Sequence, residues 1–126
     1  MKSRDALLRL KRFEASEKAR TVADLEHMIR EFEQMAVDLD RQISAEEDRT
    51  GVKDTTHFAY STFAKAAGQR RTNLKASIEG LAAKLDNAVR ERDAAQVDLE
   101  AATTPDPRDH DRGRRRLDRT VGATMR

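Results

Sequence analysis

The sequence predicts an all-α fold: two long helices forming an antiparallel coiled-coil hairpin, followed by a C-terminal tail. Three observations predict it. Val22, Leu25, Ile29, Phe32, Ala36, Leu39 and Ile43 are spaced alternately by three and four residues. That heptad pattern keeps one narrow apolar stripe on one side of a helix. A second stripe with the same spacing runs through Ala64, Ala67, Arg71, Leu74, Ile78, Leu81, Leu85, Ala88, Arg92, Ala95, Leu99 and Ala102. Charged residues make up 38% of the 126 residues and aromatics 4%, with no Trp. That composition suits helices with one buried stripe and a wide solvated face.

The first helix is expected over about 4–49. Ser3 is placed to cap it, and Asp5 puts a negative charge in its first turn, where the helix dipole favours one. No proline interrupts the stretch, so about 45 residues at 1.5 Å each give a rod of roughly 68 Å. Extended backwards from Val22, the heptad places Lys18, Ala15, Lys11 and Leu8 on the seam, while Leu7, Leu10 and Phe13 fall partly off it. Glu26, Glu33, Asp40 and Glu47 occupy e positions, making one flank acidic.

Gly51 reads as the residue that ends this helix in a left-handed conformation. Residues 50–56 are expected as the turn and about 57–102 as the second helix, with Asp54, Thr55, Thr56 and Ser61 as alternative caps. Gly68 and Gly80 lie inside that helix but off its stripe. Each reads as a tolerated surface glycine, a local bend or a point of close contact, at about 1 kcal/mol against Ala. Pro105 and Pro107 stop the helix. Residues 105–126 carry Arg112, Arg114, Arg115, Arg116 and Arg119 without an apolar period, and read as a polar, mobile tail.

A short turn makes the helices antiparallel neighbours. Two registers satisfy the pattern, with facing numbers adding to about 103 or to about 110. The first sets Arg92 against Lys11 and the second against Lys18. Either way two cations meet on the seam, and their ends must reach outward or find carboxylates. The coiled-coil core expected from both stripes is Val22, Leu25, Ile29, Phe32, Leu39, Ile43, Ile78, Leu81 and Leu85. A seam this thin implies marginal stability, and so a component of an assembly.

The net charge of +2 gives no warrant for a nucleic-acid partner, and aspartates interleave with the tail arginines. Duplex binding through residues 108–126 is one alternative; a generic scaffold that self-associates through its aromatics is another. The absence of cysteine excludes disulfides and is compatible with a reducing compartment. The first residues lack the apolar run of a signal peptide, and no run of about 18 apolar residues is present, which points to the cytoplasm. His27, His57 and His110 are too dispersed for a metal site, although Asp109-His110-Asp111 offers weak ligands. The glycines form no phosphate loop, and no residues suggest nucleophilic or acid–base catalysis. The expectation is no enzyme, no cofactor, no small-molecule substrate and no nucleic acid. Phe58, Tyr60 and Phe63 follow the turn, either capping the coil or acting as exposed anchors for another protein.

The opening MKSRDALLRLKRFEASEKAR, the mid-helix EFEQMAVDLDRQISAEE and above all HFAYSTFAKAAGQRR resemble the alphaproteobacterial branch of the flagellar export protein FliJ family. The resemblance covers roughly residues 1–100. It implies a soluble antiparallel coiled coil in the flagellar type III export apparatus, peripheral to the inner membrane and serving motility. Its implied partners are the hexameric export ATPase, entered as a stalk by the end carrying both termini, the cytoplasmic domain of the export gate, and the export chaperones. The family's gate-binding stretch maps onto Tyr60 and Phe63, with Ala67 and Leu74 as weaker matches. Lys11, Arg12, Lys18 and Arg92, at the end implied to enter the ring, would suit an acidic lining. The family's second helix runs on as a charged helix, whereas Pro105 and Pro107 interrupt this one, a departure that bears on the ATPase contact.

Overall fold

A computed structural model describes residues 2–104. Two long α-helices, α1 (Lys2–Thr50) and α2 (Thr62–Thr103), pack against each other as a helical hairpin, and no strand occurs among the described residues. The tail at 105–126, with its arginines and His110, lies outside the described residues.

Helix α1 begins at Lys2, so Ser3 lies inside its first turn and is not its cap; Asp5 sits in that turn as expected. It ends where Gly51 adopts φ 73° and its N–H donates to the Glu47 carbonyl at 2.8 Å. A left-handed residue closes the helix there, a conformation glycine adopts without a Cβ clash.

The start of α2 corrects the expected boundary. The helix begins at Thr62, five residues later than expected, and the connection is 51–61 instead of 50–56. Local side chains capture the intervening backbone. The Asp54 carboxylate accepts hydrogen bonds from the Thr56 N–H at 2.9 Å and the Thr56 hydroxyl at 2.7 Å. His57 Nδ1 accepts from the Ala59 N–H at 3.0 Å, and the Tyr60 N–H donates to the His57 carbonyl at 3.0 Å. These turns satisfy groups that a helix would otherwise use. Ser61, last of the four candidate caps, does the capping: its Oγ accepts from the Ala64 N–H at 3.2 Å. At the far end, the Thr103 and Thr104 hydroxyls and the Thr104 N–H all donate to the Glu100 carbonyl.

The chain divides into two compact units, one drawn from Met1–Ser16 and Asp93–Arg126, the other Glu17–Arg92. In the larger unit the predicted stripes form the core. Val22, Ala36, Ile43, Ala64, Ala67, Leu81 and Ala88 are buried, and Leu25, Ile29, Phe32, Leu39, Leu74, Ile78 and Leu85 are half-buried. Ile43, Ala64 and Ala67 make a cluster, with Leu39 and Tyr60 packed on it. The register is the one adding to about 110. Lys18 Nζ meets Glu91 Oε2 at 2.9 Å, and Arg71 Nη1 meets Asp40 Oδ1 at 2.8 Å. Under the other register, Glu91 and Asp40 would lie about 9–12 Å along the helix from those cations. The acidic e flank thus serves the seam, since Asp40 takes the guanidinium of a residue at a core position.

In the smaller unit Ala15 is the buried hydrophobic among the described residues. Leu8, Lys11, Ala95, Leu99 and Ala102 are half-buried, while Leu7, Leu10 and Phe13 are exposed. A Cβ added at Gly68 or Gly80 meets nothing within 4 Å, which favours the surface-glycine reading.

Candidate partner-binding surfaces

The turn end of the larger unit is held by a polar cluster. Arg49 forms two bonds to Glu46, Nη2 to Oε1 at 2.6 Å and Nε to Oε2 at 3.0 Å. The Ser61 hydroxyl donates to the same Oε1 at 2.8 Å. These donors lower the Glu46 pKa from 4.5 to about 2, with the Arg49 hydrogen bond the largest cause. Burial and the neighbouring Glu47 carboxylate raise the pKa of Tyr60, whose hydroxyl donates to Glu47 at 3.4 Å.

The aromatics that follow the turn differ in burial. Tyr60 turns inward and caps the seam. Phe58 is 96% exposed, with its ring stacked on His57 at a centroid distance of 4.6 Å. Phe63 is 55% exposed. Of the other residues matched to the gate-binding stretch, Ala67 faces the seam beside Ile43, and Leu74 borders a surface groove.

That groove, of about 510 Å³, is lined by Phe32, Met35, Leu39 and Leu74, with Asp38, Gln42, Arg70, Asn73 and Ser77 around them. Met35 is 48% exposed, and Met28, one heptad before it, is 41% exposed. Sequence reasoning missed this face. Its signal was the seven-residue spacing of two methionines one position off the seam.

The cationic residues are placed unit by unit. In the smaller unit, Lys11 occupies a seam position and reaches Glu14 at 3.8 Å and Asp98 at 4.0 Å. Arg12 is exposed and borders a shallow hollow with Asp5, Leu8 and Arg9. In the larger unit, Lys18 reaches Glu91, and Arg92 is half-buried at its seam position. Lys18 thus leaves the seam position that faces Arg92 by extending toward a carboxylate on its edge, and Lys11, which faces Leu99, does the same toward Asp98.

No family model, curated protein or solved structure matches this chain. Among the described residues, no group of three or more His, Cys, Asp or Glu side chains is placed to hold a metal ion, and no helix is long and apolar enough to cross a membrane. The surfaces described offer exposed aromatics, an apolar groove and carboxylate-tethered cations.

Proposed function

We propose that this chain is a non-enzymatic accessory component of the flagellar type III export apparatus. It would bind the hexameric export ATPase as a stalk, the cytoplasmic domain of the export gate, and export chaperones, working in the cytoplasm at the inner-membrane apparatus. The observation that carries the reading is the resemblance of HFAYSTFAKAAGQRR and its flanking segments to the FliJ family, on a chain whose described part is a two-helix hairpin. The exposed Phe63 beside an ordered turn supports a gate contact, because an aromatic held in place loses little entropy on binding. Lys11, Arg12, Lys18 and Arg92 support an ATPase contact through charge complementarity.

The test is a pull-down scored separately for the gate domain and the ATPase. Phe63→Ala alters an exposed ring and leaves the seam intact, so it should lose the gate and keep the ATPase. Tyr60→Ala also removes packing from the Ile43 cluster and needs a thermal melt beside it. Reversing charge at Lys11, Lys18 and Arg92 should abolish stimulation of ATP hydrolysis. Retention of both partners by Phe63→Ala, with undiminished stimulation in the charge-reversed protein, removes the site assignment.

A further inference from the structure

The groove beside Met35 has two unlike walls. On α1, Asp24, Glu31 and Asp38 recur every seven residues and form an acidic row, all exposed. On α2, Arg70 and Lys84 lie two heptads apart in one exposed row. Between Arg70 and Lys84 that wall is small, with Asn73, Ser77 and Gly80, and a Cβ added at Gly80 meets nothing within 4 Å. Asp38 takes a hydrogen bond from Gln34 at 3.3 Å and sits 3.9 Å from Arg41, both along α1. A complementary surface must therefore be apolar along its middle, basic toward α1, and acidic toward α2.

The larger unit itself carries that surface. We infer that this groove is the interface between two copies of the chain, stacked face to face with both turns at the same end. A half-turn about the long direction of the unit lays α1 of each copy over α2 of the other, an arrangement in which each contact occurs twice. Asp38 then meets Arg70 of the second copy, Asp24 meets its Lys84 by the same offset, and the exposed side of Met35 closes over its Ser77. The opposite stacking, with turns at opposite ends, sets one acidic row on the other and is disfavoured. Methionines suit such a contact because their unbranched side chains fill irregular gaps. The inference does not depend on any export partner.

Sedimentation across a concentration series tests it with the full chain. Wild type should approach a dimer as concentration rises. Asp38→Arg and Arg70→Glu should each weaken self-association by about tenfold or more, since each sets like charges together twice. An equimolar mixture of the two variants should dimerise as wild type does. The guanidinium introduced by the first substitution then faces the carboxylate introduced by the second, and the unaltered Asp38 and Arg70 face each other at the twofold-related contact. That rescue also shows that both variants are folded. A wild type that stays monomeric at every concentration overturns the proposal and leaves the groove to a helix of another protein. A dimer indifferent to both substitutions, or variants that fail to restore each other, overturns it equally.

Discussion

Glu46 is the residue on which the electrostatics of the turn converge, bonded at once by Arg49 and Ser61. Its pKa is lowered from 4.5 to about 2, so it binds protons less readily folded than unfolded. The stability it contributes is fully present above about pH 4.5 and is lost as pH falls toward about 2. Acid unfolding followed by circular dichroism should show this loss in wild type. Glu46→Gln should be less stable near neutral pH and should lose less across that window; an unchanged acid profile would contradict the assignment. Ile43, 8% exposed, packs against Ala64 and Ala67 at the best-closed point of the seam. Ile43→Ala should cost about 2 kcal/mol in urea unfolding, at the low end for a buried Ile because two helices can partly collapse around the gap. A cost comparable to substituting exposed Val37 would show that the seam does not hold there.

At the level of the elements, the chain ends each helix with devices whose strength can be measured. Ser61→Ala removes both the cap of α2 and a donor to Glu46, and should destabilise by about 1 kcal/mol or somewhat more. Thr56→Ala, in the turns before it, should cost less, and the reverse order would place the helix start nearer residue 57. Gly68→Ala should stabilise by about 0.5–1 kcal/mol, since the position is helical and the added methyl enters open space. The boundary at Thr62 was not legible in the sequence. Phe58, Ala59 and Tyr60 are compatible with a helix, and the decision fell to the Asp54 and His57 side chains, which bind backbone N–H groups two residues on. Gly51 and Ser61, by contrast, did what their residue types suggest.

For the molecule as a whole, the heptad carried nearly all the information about packing. Each a or d position from Leu8 to Ile43 and from Ala64 to Ala102 is buried or half-buried, the charged ones included. The register was ambiguous because a shift of one heptad sets apolar residues opposite apolar residues either way. Flanking charges decided it: Asp40 against Arg71, and Glu91 against Lys18. The methionine groove escaped notice because Met28 and Met35 sit beside the stripe, where isolated apolar residues are ordinary on any surface. Of the residues tied by resemblance to the export gate, Phe63 is presented outward, whereas Ala67 is inside the seam. On the proposed function, a gate contact at this end would centre on Phe63, with Phe58 exposed beside the turn. The most direct measurement is deletion of the coding sequence in the cell that makes this chain, with secretion of flagellar subunits and swimming as readouts. On the proposed function both are lost and a plasmid copy restores them, less effectively with Phe63→Ala. Normal secretion and swimming in the deletion strain would contradict it.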